Sequence, residues 1–302
     1  MLSEPLFTIF GQEIYMYGIM LAIALIAAMV VFRVHTDQRK MHVEVQNFGL
    51  ITTVVAMAGG FLIAALAQGI VSVINGGSFS LKEGITAMPG FIGGTFTYVV
   101  FFFGVGHFLF RKKDNVHIGE FHKIFNVAPC CITIAHAFGR LGCMFAGCCH
   151  GKPTDSWIGV LGDGHVPVQF FEALFLFALF AVLTVLYFKD KRYTFPVYLI
   201  SYGIWRIIIE IFRADPERGM IFGIMTSSQF TSILFILAGL VILILHLLMK
   251  YGKMKKYKYI AFNLVPFIDY QTKKKDEESE AKEEKTDTTD DTVVKVDEVI
   301  EE

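Results

Sequence analysis

The sequence predicts an all-α integral membrane protein with seven transmembrane helices, an external N-terminus and a cytoplasmic C-terminus. Hydrophobic residues make up 54% of the 302 positions, and 30 residues are Phe, a composition more apolar than that of a soluble domain. The apolar residues fall into runs of about 20, the length with which a helix crosses a bilayer. Lys and Arg are concentrated in alternate connections between these runs, and this bias sets the direction of the chain.

Seven runs are long enough to span a membrane, and in lipid the backbone groups of a spanning segment must pair internally. The length and continuity of the runs favour helices over strands. The predicted spans are residues 14–32, 48–74, 90–110, 126–147, 167–188, 195–212 and 227–249. No soluble domain interrupts them, so residues 1–258 are assigned to one transmembrane domain. No cleavable signal peptide is expected, because the chain does not start with a positively charged segment.

The charges of the connections give the orientation, since cytoplasmic connections are enriched in Lys and Arg. One set of connections contains Arg33, Arg39, Lys40, Arg111, Lys112, Lys113, Lys123, Lys189, Lys191, Arg192, Lys250, Lys253, Lys255, Lys256 and Lys258. The alternate set contains only Lys82, Lys152, Arg213 and Arg218. The N-terminus is therefore predicted outside the membrane and the C-terminus in the cytoplasm.

Residues 259–302 are predicted to form a cytoplasmic tail. From about Lys273 onward the tail is an acidic, mixed-charge run with almost no aromatic residues, a composition typical of disorder. The formal net charge of −1 therefore hides a basic transmembrane part and an acidic tail. No nucleic-acid partner is expected.

Charged residues in the outer halves of two spans predict an internal cavity. Tyr202, Arg206, Glu210 and Arg213 in the sixth span are spaced so that all four lie on one helix face. Arg140 lies in the outer half of the fourth span. Because each charge in a bilayer costs about 2.5–3.5 kcal/mol, these groups are expected to share a cavity. Alternatively, Arg206 and Glu210 form a pair that only joins helices.

Arg140 has no acidic residue near it in the sequence, so its guanidinium is expected to be uncompensated and suited to an anion. At the outer leaflet the available anion is a lipid phosphate. Other polar residues are predicted at the same level: Tyr15, Tyr17, Gln169, Glu172, Ser227, Ser228 and Gln229. Small residues leave room for a ligand or allow close helix packing, and several occur here: Gly90, Gly93, Gly94, Gly139, Gly142, Gly147 and Gly151.

Six short segments, in this order, resemble those of a known enzyme family. They are YGIMLAIAL (17–25), PGFIGG (89–94), GRLGCMFAGCCHGKPT (139–154), PVQFFEAL (167–174), YGIWRIIIEIFR (202–213) and TSSQFTSILFILAG (226–239). The chain resembles the prolipoprotein diacylglyceryl transferases, seven-span enzymes of the bacterial inner membrane, over roughly residues 14–250. That family moves a diacylglyceryl group from phosphatidylglycerol to the lipobox cysteine of a prolipoprotein signal peptide, releasing glycerol phosphate and forming a thioether.

The resemblance and the polar cluster together imply the site residues. The catalytic residues are expected to be Arg140, Arg206, Glu210 and Tyr17. The substrate-binding residues are expected to be Arg140, Arg213, Gly151, Gln169, Glu172, Gln229, Cys143 and His136. No cofactor and no metal are expected, and the protein is expected to be a multi-pass protein of the bacterial plasma membrane.

The chain departs from the family pattern at three positions. Cys143 stands where the family usually has Asn, Cys148 where it has Glu, and Met88 where it commonly has His. Either thiols and His150 or His136 replace the missing groups, or the chemistry has changed. In the second case the protein is a divergent paralogue that acts in lipid binding or thiol redox chemistry.

Three interpretations remain for Cys143, Cys148, Cys149 and His150. They line the lipid cavity as small polarizable groups, they form a disulfide, preferably between Cys143 and Cys148, or they bind a metal. The metal is the least favoured, because adjacent Cys-Cys-His residues do not readily bind one ion. Cys130 and Cys131 are expected to be packing residues.

Overall fold

The computed structural model describes residues 5–9, 12–74, 78, 87–189, 193–213, 220–221 and 225–251. Within these residues the elements are β1 (Phe7–Ile9), β2 (Gln12–Ile14), α1 (Met16–Gln38), α2 (Val43–Ile74), α3 (Ala87–Val100), α4 (Gly106–Phe110), α5 (Val116–Phe145), α6 (Val168–Phe188), α7 (Thr194–Glu210), β3 (Met220–Ile221), β4 (Met225–Thr226) and α8 (Ser227–Tyr251). A π-helical turn, Phe101–Val105, joins α3 to α4. The predicted tail, residues 259–302, lies outside the described residues.

Six helices of the described part are long and apolar enough to cross a membrane. They are Met16–Gln38, Val43–Ile74, Pro89–Lys113, Val116–Phe145, Val168–Phe188 and Ser228–Leu248. The remaining predicted span, the sixth (residues 195–212), corresponds to α7, which is 17 residues long. The predicted apolar segments therefore all coincide with helices, although α7 is shorter than the others.

The fourth span begins earlier than predicted, at Val116 instead of residue 126. Polar residues lower the hydropathy of this first part of α5, yet His117 and Glu120 are buried. Glu120 accepts hydrogen bonds from the backbone N–H of His42 at 2.9 Å and from Lys123 at 2.6 Å. These contacts hold the connection between α1 and α2 against α5, about 30 Å along the helix from Arg140.

Two short hairpins are an exception to the predicted all-helical fold. β1 pairs antiparallel with β2, with Phe7 opposite Ile14, and β3 pairs antiparallel with β4, with Ile221 opposite Met225. Strands of two or three residues contain too little alternation of apolar and polar residues to be recognised from sequence. The second hairpin leads directly into α8.

Helices pack in neighbouring pairs, with α1 along α5, α2 along α3, α5 along α6, and α7 along α8. Small residues bring α2 and α3 together: a Cβ atom at Gly60 would lie 2.8 Å from the Gly90 oxygen and 3.2 Å from the Gly94 Cα. Gly90 and Gly94 therefore serve close packing here. The opposite surface is apolar and exposed, for example at Phe61, Ile92 and Phe96, as expected of residues that face lipid.

Candidate active site

A fully buried carboxylate, Glu172, lies at the centre of the polar cluster. It is located near the start of α6, about one helical turn after Val168. Its Oε2 atom is 3.0 Å from Arg140 Nε on α5 and 3.9 Å from Arg206 Nη1 on α7. The expectation that Arg140 is uncompensated is therefore wrong, because a residue 32 positions later in the chain supplies the opposite charge.

Two further side chains contact the other oxygen of Glu172. Tyr202 on α7 donates its hydroxyl hydrogen to Glu172 Oε1 at 3.1 Å. His136 Nε2, one turn before Arg140 on α5, is 3.8 Å from the same oxygen, and its ring meets the Tyr202 ring edge-on at 5.3 Å. His136 therefore faces the cluster, as expected from its spacing.

A second carboxylate, Glu210, is the last residue of α7 and contacts two of the arginines. Glu210 Oε2 lies 3.2 Å from Arg206 Nη2 and 4.0 Å from Arg213 Nε. Thr226 donates its hydroxyl hydrogen to Glu210 Oε1 at 3.1 Å, and Arg206 Nη2 donates to Ser228 Oγ at 3.0 Å. Tyr202, Arg206 and Glu210 lie on the predicted shared face of α7, whereas Arg213 lies beyond the end of the helix. The start of α8 completes the cluster.

The cluster has an excess of positive charge at neutral pH, since three guanidinium groups face two carboxylates. Exposure of the arginine side chains is only 15% for Arg140, 9% for Arg206 and 2% for Arg213. Arg206 Nη1 is buried and has no hydrogen-bond partner among the described residues. A buried donor without a partner costs about 1–3 kcal/mol, so an anionic ligand at this position would be stabilised.

Gly151 joins the connection after α5 to the end of α7. Its N–H donates to the Val166 oxygen at 3.0 Å, and the neighbouring Lys152 N–H donates to the Phe212 oxygen at 2.8 Å. A Cβ atom at Gly151 would lie 2.6 Å from the Val166 oxygen and 2.8 Å from the Phe212 oxygen. Only glycine fits here, and the close approach places the cysteine segment beside Arg213.

Gln169 holds the same connection from the first turn of α6. Its side chain is buried, and its Nε2 donates to the Cys148 oxygen at 2.5 Å. By contrast, a Cβ atom at Gly139, on α5 beside Arg140, would have no neighbour within 4 Å. Gly139 thus borders open space, and Gly151 does not.

Three thiols form a group at the C-terminal end of α5. The sulfur atoms of Cys143, Cys148 and Cys149 all lie within 4.8 Å of one another, and all three cysteines are free. A hydrogen bond from the Cys143 thiol lowers the pKa of Cys149, and the guanidinium groups of Arg213 and Arg140 act in the same direction. Burial raises the pKa of Cys148.

Comparison with known proteins decides the family. The model of the family described as prolipoprotein diacylglyceryl transferase matches residues 4–245. The chain belongs to this family. Two similar relatives are named phosphatidylglycerol–prolipoprotein diacylglyceryl transferase. One, from Clostridium tetani, is 29% identical over 79% of this chain and 96% of its own length. The other, enzyme 2 of Clostridium perfringens, is 30% identical over 78% of this chain and 91% of its own length.

A transferase of the same name from Francisella tularensis subsp. novicida is 34% identical over a shorter stretch, 55% of this chain and 61% of its own length. The resemblance inferred from six short segments is thus confirmed over most of the chain.

Other residues expected from the transferase family lie at the edge of the charged cluster. Tyr17, near the start of α1, is 40% exposed, and its ring would be 3.1 Å from a Cβ atom at Gly142. It borders a groove of about 530 Å³ that is lined by β2 and the first turns of α1. Met88 lies in the first turn of α3, and its side chain is outside the described residues.

Gln229 is linked to the cluster through Thr226. Its Oε1 accepts the Thr226 N–H at 3.1 Å, and its own N–H donates to Thr226 Oγ1 at 3.2 Å. This reciprocal arrangement is a capping box at the start of α8. The sequence analysis did not select Thr226, although the Thr-Ser-Ser-Gln spacing is the signal that identifies such a cap.

Proposed function

We propose that the protein transfers the diacylglyceryl group of phosphatidylglycerol to the thiol of the lipobox cysteine of a prolipoprotein. The observation that supports this most strongly is the convergence of Arg140 and Arg206, from two different helices, on one buried carboxylate. An arrangement with excess positive charge suits the phosphate of a lipid headgroup. The names of the relatives provide the reaction that such a site would perform.

The arginines would act where negative charge develops. The acceptor sulfur attacks the C3 carbon of the diacylglyceryl group, the C3–O bond breaks, and its electron pair leaves with glycerol phosphate. Arg140 and Arg206 bind the phosphate and stabilise the charge on the departing oxygen. Glu172 and Glu210 position these two guanidinium groups, and Glu210 is the candidate proton acceptor at the outer end.

The remaining residues would bind and orient the substrates. Arg213 extends the positive surface outward from Glu210. Gln169, Gly151 and Cys143 shape the connection after α5, while His136 adds a polar group beside Tyr202. Tyr17 is proposed to act at the groove lined by β2 and the first turns of α1, where it is partly exposed. Gln229 contributes by capping α8.

The direction of the chain follows from its basic connections. We propose that the protein lies in the bacterial inner membrane with seven spans, α7 being one of them, with the N-terminus outside and the C-terminus in the cytoplasm. Residues 1–258 form the transmembrane domain and residues 259–302 the tail. A green fluorescent protein fused after residue 302 should then fluoresce, and an alkaline phosphatase fused at the same position should be inactive. The reverse pattern contradicts this orientation.

The reaction is tested with the full chain reconstituted in phosphatidylglycerol vesicles and a lipobox peptide. Mass spectrometry should detect the peptide with an added diacylglyceryl group, and Arg140→Lys should lower the initial rate by about 100-fold or more. Arg33→Lys is the matched control, because Arg33 is exposed and pairs with Asp37 at the other end of α1. Binding of phosphatidylglycerol without any product would contradict the transferase function and favour a lipid-binding paralogue.

A further inference from the structure

The three thiols at the C-terminal end of α5 have the spacing of a metal site. Their sulfur atoms lie within 4.8 Å of one another, and sulfur ligands of a tetrahedral zinc ion are about 3.8 Å apart when each bond is about 2.3 Å. Small side-chain rotations close that difference. Cys130 and Cys131, the other two cysteines, lie more than three turns earlier on α5 and do not take part.

The backbone brings the three residues together. The Cys148 N–H donates to the Cys143 oxygen at 3.1 Å, so the chain folds back onto the last turn of α5. Gly147 and Cys149 have left-handed backbone angles, with φ of 66° and 64°, and these angles direct Cys149 toward Cys143. His150 is engaged elsewhere, since its Nε2–H donates a hydrogen bond to the Gly147 oxygen at 2.5 Å.

The charges around the thiols match those of a metal–thiolate group. Three thiolates and one divalent cation have a net charge of −1, and the positively charged guanidinium of Arg213, which lowers the pKa of Cys149, balances it. Among the described residues, no fourth Cys, His, Asp or Glu joins the group, and Cys148 is exposed. A site with three protein ligands and one position open to substrate is the arrangement of catalytic zinc.

We propose that Cys143, Cys148 and Cys149 bind one zinc ion, and that the fourth position of this ion binds the acceptor thiol of the substrate. The second part rests on the proposed transferase function. The zinc site differs from the sequence-based expectation of no metal. That expectation considered Cys148, Cys149 and His150 as the possible ligands. In the structure Cys143, and not His150, lies beside Cys148 and Cys149.

The zinc ion would activate the nucleophile without any change in oxidation state. The acceptor thiol binds as a thiolate and its proton goes to water, because coordination to zinc deprotonates a thiol. The zinc-bound sulfur then attacks C3, the C3–O bond breaks, and glycerol phosphate leaves with the electron pair. The product is a neutral thioether, a poorer ligand that leaves the fourth position. Two of these ligands, Cys143 and Cys148, occupy the positions at which the family usually has Asn and Glu.

Metal binding is tested on the full chain in detergent with a phosphine reductant. Titration with Co²⁺ should produce a thiolate-to-cobalt absorption band that saturates at one ion per chain and disappears when Zn²⁺ is added. Cys149→Ala should abolish the band and weaken Zn²⁺ binding at least about 100-fold, more than the loss of an outer-shell partner costs. Cys131→Ala is the control and should titrate like the wild type. An absent band, an equal band in Cys149→Ala, or a Cys143–Cys148 disulfide that persists in the reductant overturns the proposal.

A second experiment separates this proposal from the transferase function. Removal of zinc with a chelator, verified by elemental analysis, should lower the transfer rate at least about tenfold, and added Zn²⁺ should restore it. The double variant Cys143→Asn, Cys148→Glu removes two of the three thiols, so the chelator should not lower its remaining transfer rate any further. If the zinc-free wild type transfers at the full rate, thiol activation by zinc is refuted while the transferase function stands. If zinc binds and no transfer occurs, the transferase function is refuted while the metal site stands.

Discussion

Glu172 Oε2 lies 3.0 Å from Arg140 Nε, and this contact joins α5 to α6 at the centre of the bundle. The carboxylate is fully buried and also lies 3.9 Å from Arg206. A buried carboxylate between two guanidinium groups fixes the distance between them. Glu172 is therefore a positioning residue for both arginines, and the site depends on its charge.

Glu172→Gln should strongly destabilise the protein. The substitution keeps the size of the side chain but removes the charge that compensates two buried guanidinium groups. Breaking a buried ion pair from one side costs about 3–5 kcal/mol, so the temperature of unfolding in detergent should fall clearly. Circular dichroism of the purified chain during heating provides the measurement.

The control for this prediction is Glu44→Gln. Glu44 pairs with Lys113 on the exposed surface, where an ion pair contributes about 1 kcal/mol or less. Similar unfolding temperatures for the two variants would show that Glu172 does not hold the arginines together.

Arg206→Lys should lower the transfer rate without preventing membrane insertion. Arg206 contacts Glu172 through Nη1, and Glu210 and Ser228 through Nη2, and a lysine ammonium does not reproduce this planar fork. We expect kcat/KM to fall by about 100-fold, in line with the loss of a group that stabilises transition-state charge. Initial rates with phosphatidylglycerol vesicles and a lipobox peptide measure the effect. An Arg206→Lys rate equal to that of the wild type would show that Arg206 does not bind the phosphate.

The sequence predicts local features of this molecule better than contacts between helices. The shared face of Tyr202, Arg206 and Glu210 follows from spacing within one helix. The pairing of Arg140 with Glu172 does not, because it depends on how α5 packs against α6. The approach of Cys143 to Cys149 likewise depends on left-handed backbone angles that composition does not reveal.

The boundaries of the helices also depend on contacts that the sequence does not reveal. The apolar runs place every long helix, since bilayer thickness imposes their length. The early start of α5 was missed because His117 and Glu120 are polar, although their contacts bury them. The two hairpins were missed because strands of two or three residues have no measurable period.

Gly151→Ala should destabilise the connection after α5. The added methyl group would lie 2.6 Å from the Val166 oxygen and 2.8 Å from the Phe212 oxygen, so the backbone must separate and two hydrogen bonds are strained. We expect a loss of about 1–3 kcal/mol in the free energy of unfolding, typical of overpacking. Gly139→Ala is the matched control, because a methyl group there meets nothing within 4 Å. Equal unfolding temperatures for the two variants would contradict the close approach at Gly151.

Thr226→Val should weaken both the start of α8 and the position of Glu210. The Thr226 hydroxyl accepts the Gln229 N–H at 3.2 Å and donates to Glu210 Oε1 at 3.1 Å. Valine has nearly the same shape but no hydroxyl, so both hydrogen bonds are lost. Loss of a helix cap costs about 1 kcal/mol, and Glu210 loses one of the groups that orient it toward Arg206. Thermal unfolding should therefore shift slightly, while the transfer rate should fall about tenfold. Thr226→Ser retains the hydroxyl and should restore most of both properties. A Thr226→Val rate equal to that of the wild type would show that Glu210 does not need this orientation.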